Sequence, residues 1–180
     1  MRSGANTQSP SLASRDWCHG LTLMSFAQIE ELKAAIERDL PDLTLQVEGS
    51  TLIVEAKDLL RVCRFLKDAP AYEMDDLSNL TAIDYPAAGG AGPPGHIDVV
   101  YHLYSMRQKH GPIALRVKLP RDNPVVGSVT PLWRGAEFQE REAYDLFGVI
   151  FEGHPDLRRI LMWEGFKGHP MRKDYVVEEQ

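Results

Sequence analysis

The apolar positions along this chain change period several times. Phe26, Ile29, Leu32, Ile36 and Leu40 recur at helical spacing until Pro41, which predicts an amphipathic helix with a charged outer face. Ser25 with Gln28 reads as a capping box at its start, and Met24 with Ile29 as a hydrophobic staple. The period then becomes two. Leu43, Leu45 and Val47 alternate with polar residues, Gly49-Ser50 supplies a turn, and Leu52 and Val54 resume, so a β-hairpin is expected. Asp58 is placed to cap a second helix that carries Leu59, Val62, Cys63 and Leu66 on one face.

Beyond Met74 a short strand is expected around Leu80 to Ile83, followed by a Pro/Gly/Ala loop from Pro86 to Gly95. Ile97, Val99, Tyr101 and Leu103 alternate, as do Ile113, Leu115, Val117 and Leu119. Two long strands should therefore pair across Arg107 to Gly111 at the centre of an antiparallel sheet. Ser128 and Thr130-Pro131 open a helical region, interrupted at Arg134-Gly135. It runs towards Phe147, with Ala143, Leu146, Phe147 and Ile150 on one stripe and Gly148 as its end. Helices on either side of a run of strands predict an α+β fold, a single domain with a mainly antiparallel sheet flanked by helices and an extended C-terminal partner-binding segment. The expected division is a disordered extension over 1–23, a globular domain over 24–150 and a docking segment over 151–180. Met24, immediately before the first helix signal, is a candidate start residue.

Composition narrows the function. At 180 residues with a hydrophobic fraction of 43%, the chain is long enough for one true core. A net charge of -6 argues against a nucleic-acid binder, which needs a cationic footprint. Cys18 and Cys63 lie far apart without metal-ligand spacing, so neither a disulfide framework nor a zinc or iron–sulfur site is encoded, and a reducing cytoplasm fits. Cys63, on an apolar helical face, reads as a small buried hydrophobe. There is no secretory signal pattern, no run of 18 apolar residues and no GxGxxG or GKS/GKT phosphate loop, so membrane association is expected only through partners.

The densest chemistry runs from Glu140 to Tyr175. Glu140 and Glu142, two residues apart on a helix, point roughly 200° away from each other and cannot share a substrate. Arg141 and Asp145 stand at the i, i+4 spacing of an ordinary surface ion pair. His154 and His169 each sit in Gly-His-Pro, a triplet that favours a rigid turn. A metal site would require a third ligand drafted from Asp156, Asp174 or Glu142. From Asp156 to Asp174 five cations, Arg158, Arg159, Lys167, Arg172 and Lys173, face three carboxylates, giving a basic patch suited to an acidic partner. Aromatic residues surround it, from Trp133 and Phe138 to Trp163, Phe166 and Tyr175, the composition of interface hot spots.

Glu140-Arg141-Glu142, Asp145-Leu146-Phe147, His154, Arg158 and Ile160-Leu161 at this spacing resemble the signature of the C-subunit family of proton-translocating NADH:quinone oxidoreductase, respiratory complex I. Val99 to Ser105, Pro124-Val125-Val126, Ser128-Val129-Thr130 with Leu132-Trp133, and Gly168-His169-Pro170 with Arg172 to Tyr175 agree with it. The likeness departs at Arg134 to Phe138 and at Val176. It implies a peripheral-arm subunit on the cytoplasmic side of the bacterial inner membrane, without a flavin, iron–sulfur cluster or metal of its own. The FMN and clusters would lie in partner subunits, and the translocase activity would belong to the whole complex rather than to a catalytic site here. The implied partners are the D subunit, which forms the quinone site, the B subunit and other peripheral-arm subunits. The residues expected to meet them are Glu140, Arg141, Glu142, Asp145, His154, Arg158, Arg159, His169, Arg172 and Lys173. Two other readings are a matching subunit of an energy-converting hydrogenase or ferredoxin-linked complex, and a metal hydrolase using His154 and His169.

Overall fold

The computed structural model describes residues 26–87 and 94–177. Helix α1 (Phe26–Asp39) buries Ile29, Leu32 and Ile36, the stripe expected from their spacing. The capping box and staple at Met24 and Ser25, the extension over 1–23 and the Phe26 side chain lie outside what is described. Strands β1 (Gln46–Glu48) and β2 (Thr51–Ile53) form the expected hairpin, with Gly49 in the left-handed region at φ 61°. Leu43 and Leu45 are buried but precede the strand.

A 3-10 turn (Ala56–Asp58) leads into α2 (Leu59–Asp68), whose Leu59, Val62, Cys63 and Leu66 are buried as expected. Asp58 stands at the N-cap position but makes no side-chain capping bond. Its carboxylate accepts instead from Arg61 Nη1, at 3.4 Å. Burial pushes the Cys63 thiol upward, away from nucleophilic chemistry.

Strands β3 (Asp76–Tyr85), β4 (His96–Ser105) and β5 (His110–Pro120) complete a five-stranded sheet in the order β1-β2-β5-β4-β3. β4 pairs antiparallel with both β3 and β5, as expected, but β2 joins β5 in parallel. The sheet is thus mainly antiparallel with one parallel joint. β3 is much longer than the strand expected over Leu80 to Ile83, because a register shift between Leu77 and Asn79 breaks the alternation that marks a strand in sequence. Ile97, Val99, Tyr101 and Leu103 of β4 and Ile113, Leu115, Val117 and Leu119 of β5 share one core with α1 and α2. On the opposite face Asp98 is also buried, against His96 and Arg116.

Ser128 and Thr130-Pro131 do not open a helix. Leu132 and Trp133 donate backbone bonds to Val129 in a turn, Trp133 Nε1 reaches the Met74 carbonyl at 2.9 Å, and α3 (Ala136–Phe147) begins only after Gly135. α3 lies along the outer edge of β3, where the Gln139 carboxamide oxygen accepts the Leu80 N–H and so covers an open strand edge. It ends at Gly148 (φ 75°), as its glycine predicts. A pair not visible in the sequence, β6 (Val125–Gly127) and β7 (Ile150–Glu152), runs parallel beside it.

Candidate docking site

The chain after β7, residues 153–177, has no regular secondary structure and wraps the C-terminal end of α3 as a strap. Most of its residues are exposed or half-buried; the His154 side chain is 1% exposed, and Leu157 packs partly against the core. It is held by hydrogen bonds, and their origin is the end of α3. The last four carbonyls of a helix have no partner within it. Here Gly148 N–H satisfies Tyr144, His169 Nδ1 donates to the Asp145 carbonyl at 3.1 Å, Met171 N–H to Leu146 at 3.1 Å and Arg172 Nε to Phe147 at 2.7 Å. The guanidinium of Arg172 also sits at the negative end of the helix dipole.

Asp145 is the centre of this arrangement. One carboxylate oxygen accepts from Arg159 Nη1 at 2.7 Å, and the other from the backbone N–H groups of Ile160, Leu161 and Met162 at 3.0, 2.7 and 2.8 Å. Burial alone would raise its pKa, but those three N–H groups and Arg159 outweigh it and hold the carboxyl below its ordinary range. Arg159 Nη2 reaches on to the Gly168 carbonyl at 2.9 Å, and its guanidinium lies over the Phe166 ring. Gly148 is required twice. Its φ is left-handed, and a Cβ there would come within 2.5 Å of His169 Nε2.

A second carboxylate, Asp84 at the end of β3, fastens the far end of the strap. Arg121 donates Nε and Nη2 to Asp84 at 2.6 and 2.8 Å and, in the same span, reaches Asp174 at 2.6 and 2.9 Å. The Lys173 N–H completes the set on Asp84 at 2.7 Å. Arg121 holds both carboxyls below their ordinary range.

Glu140 behaves differently. It is fully buried, accepts Ser128 Oγ at 2.6 Å and the Val129 N–H at 2.7 Å, and fixes the turn between β6 and α3. Burial outweighs the Ser128 and Val129 hydrogen bonds, and with no guanidinium or ammonium group among the described residues to offset desolvation its carboxyl is raised to about 7. The His154 ring packs against it, Nε2 4.0 Å from the Glu140 carboxylate. Nε2 donates to the Glu137 carbonyl at 3.0 Å while Nδ1 accepts the Asp156 N–H at 3.0 Å, which selects the Nε2–H tautomer.

Glu140, Arg141 and Asp145 are therefore buried in the chain's own packing, not exposed on a docking face. The surface ion pair expected between Arg141 and Asp145 does not form. Arg141 donates to the Arg158 and Arg159 carbonyls, and the ionic partner of Asp145 is Arg159. Glu142, Arg158 and Lys173 remain exposed, and Arg158 pairs with Asp156 at 2.8 Å. His154 and His169 point to different backbone carbonyls, and among the described residues no three His, Cys, Asp or Glu side chains converge as metal ligands. Asp84, Arg121 and Ser128 are not marked by any spacing, since Arg121 lies 37 and 53 residues from its partners. Among the charged residues that the strap exposes are several large apolar ones: Leu161, Trp163 and Met171 are 56%, 59% and 55% exposed, with Ile160, Val176 and Val177 also exposed.

The family described as respiratory-chain NADH dehydrogenase, 30 Kd subunit, matches residues 52–180, which span most of the sheet, α2, α3 and the strap. This chain belongs to that family. The C subunit of the NADH-quinone oxidoreductase of Ralstonia pickettii (strain 12J) is 44% identical over 156 residues, 83% of this chain and 78% of the relative. The C subunit numbered 2 in Rhizobium meliloti (strain 1021) is 46% identical over 125 residues, 69% and 64% of the two chains. Among solved structures, the trypsin-resistant fragment (1-134) of Nqo5 is similar at a TM-score of 0.53 and 30% identity, covering 70% of this chain and 98% of the fragment. A chain of the membrane-bound sulfane sulfur reductase, an archaeal respiratory membrane complex, matches at 0.63 and 24% identity over 83% and 86%, a likeness of fold alone. As a 30 Kd subunit, the chain is a peripheral-arm component of complex I, and no helix among its described residues is long and apolar enough to cross a membrane.

Proposed function

We propose that this 30 Kd subunit works as a structural clamp of the peripheral arm, on the cytoplasmic side of the bacterial inner membrane. It carries no redox group and no catalytic site of its own. Electrons would pass from NADH through FMN and iron–sulfur clusters in partner subunits to quinone, with proton translocation elsewhere in the complex. Its immediate neighbours would be the D subunit, which forms the quinone site, and the B subunit.

The observation that carries this reading is the strap. Its backbone-directed polar groups are largely taken up by α3, β3 and the β5 loop, yet it leaves several large apolar side chains in water, a feature of protein interfaces more than of monomer surfaces. Glu142, Arg158 and Lys173 form the polar rim that meets the partner directly. Glu140, Arg141, Asp145, His154, Arg159, His169 and Arg172 act by holding that surface in shape.

The test is to tag the chain in its native cell, solubilise the membranes gently and identify what co-purifies. NADH-oxidising and quinone-site subunits in stoichiometric amounts are expected. Recovery of the chain alone, or with hydrogenase subunits in place of a flavin dehydrogenase module, would overturn the reading.

A further inference from the structure

We propose that Glu140 is a buried proton-binding site, filled and emptied through the hydroxyls of Ser128 and Thr130 from the open pocket beside His154. The carboxylate is withdrawn from water, and among the described residues the titratable groups that face it are Cys63 of α2, Tyr101 of β4 and His154 of the strap. None of them answers its charge. Burial keeps the Cys63 thiol and the Tyr101 phenol protonated, and the His154 Nε2–H is given to the Glu137 carbonyl rather than to the carboxylate 4.0 Å away. Arg141, the next residue of α3, is turned to the Arg158 and Arg159 carbonyls. What neutralises Glu140 without moving a side chain is therefore a proton, and a carboxyl raised to about 7 is half-filled near neutral pH.

The hydrogen bonds around the carboxylate serve it with the proton absent or present. In the ionised form the Val129 N–H donates to Oε1 at 2.7 Å, Ser128 Oγ donates to Oε2 at 2.6 Å, and Thr130 Oγ1 donates to Ser128 Oγ at 2.7 Å. In the protonated form the hydroxyls turn round: Oε2–H donates to Ser128 Oγ, Ser128 donates to Thr130 Oγ1, and the Thr130 proton faces outward. The Thr130 N–H stays on Ser128 Oγ at 3.2 Å in both. Thr130 is half-buried and lines a pocket of about 430 Å3 with Pro131, Arg134, Glu137, Gly153 and Pro155, so the relay ends at solvent. To fill the site, Thr130 Oγ1 takes a proton from a hydronium ion or buffer acid in that pocket and passes its own to Ser128, which passes its own to Oε2. Each O–H bond broken is replaced by one formed, and the net change is one proton on Glu140.

The experiment follows the infrared band of the protonated carboxyl in the full-length chain, first across a pH titration and then after a laser-induced pH jump. A buried carboxylic acid that titrates near 7 is expected in the unaltered chain and absent from Glu140→Gln. If that variant does not fold, ¹³C labelling of the glutamates assigns the band instead, Glu140 being the buried glutamate among the described residues. Thr130→Val keeps the shape of the side chain and removes its hydroxyl, so the band should remain while its growth after the jump slows about tenfold, and Thr130→Ser should restore the unaltered rate. A merely structural turn would not tie the rate to that hydroxyl. A chain with no glutamate band titrating near neutral pH would overturn the site, and an unaltered rate in Thr130→Val would overturn the relay. Neither readout requires a partner subunit, so both stand apart from the function proposed above.

Discussion

The body and the strap are stabilised in different ways, although one continuous signature, Glu140 to Tyr175, crosses from one into the other. In the body, α1, α2 and the inner face of the sheet interlock through side chains that are almost entirely withdrawn from water. In the strap only the His154 side chain is withdrawn from water and only Leu157 leans on the core, and order comes mainly from donors aimed at the carbonyls of α3 and at Asp145 and Asp84. Burial supplies free energy without direction. Hydrogen bonds supply direction with little net free energy. A region that must hold its shape alone needs the first, and a region that must offer a defined surface to something else can rely on the second.

The sharpest way to separate the two is to delete equal volumes from each. Leu115→Ala, at a fully buried position in the centre of the sheet, is expected to cost about 2–5 kcal/mol through lost transfer energy and the cavity left behind. Leu157→Ala, at the one strap residue that leans on the core, should cost no more than about 1 kcal/mol. Urea denaturation of both variants checks this. Equal losses would mean that the strap is part of the cooperative core.

The same contrast is unevenly legible in sequence. Period alone locates α1, α2, β4 and β5, because each presents several turns or alternations to one core. It cannot show that β2 joins β5 in parallel, or that β6 and β7 exist, since these strands are short, have no tight turn joining them as β1 and β2 do, and pair according to which segments meet in space. The charged run of α3 is where spacing misleads most. Read by spacing, Arg141 and Asp145 are neighbours on a solvated face. In the fold both are buried, because their partners arrive from 14 to 18 residues further along the chain. No local pattern announces that a carboxylate will be met by three backbone N–H groups.

pH separates the regions again, in opposite directions. Glu140 titrates near its ordinary 4.5 in the unfolded chain and at about 7 in the fold, so between those values the unfolded state releases its proton first. The stability linked to Glu140 is complete below 4.5, falls as pH rises and levels above about 7, a change of about 3 kcal/mol. Asp145 and Asp84 are held below their ordinary 3.8, so what they contribute is present above 3.8 and lost as the solution is acidified past it. A rise in pH from about 5 to 7 should therefore loosen the body at α3, and acid below 3.8 should release the strap. Glu140→Gln is expected to remove the downward slope of stability between pH 5 and pH 8, measured by urea titration at each pH. A slope that survives the substitution would place its origin in another group.

The smallest expected effect tests whether every buried polar atom in the body supports the fold. The Tyr101 hydroxyl is buried with no hydrogen-bond partner among the described residues, and burial raises its pKa well above the ordinary value, with Cys63 and Glu140 adding to the same direction. A hydroxyl withdrawn from water without a partner opposes folding, while the ring that carries it fills the centre of the core. Tyr101→Phe keeps the ring and removes the opposing group, so the variant should be at least as stable as the parent and up to about 1 kcal/mol more stable. The outcome is read from the urea midpoint at pH 5, where Glu140 is largely protonated, and again at pH 8, where it is largely ionised. A loss of stability at both values would mean that the hydroxyl is bonded in solution. A loss at pH 8 alone would make it a donor that serves the ionised Glu140, and would join Tyr101 to the polar network that closes α3 over the sheet.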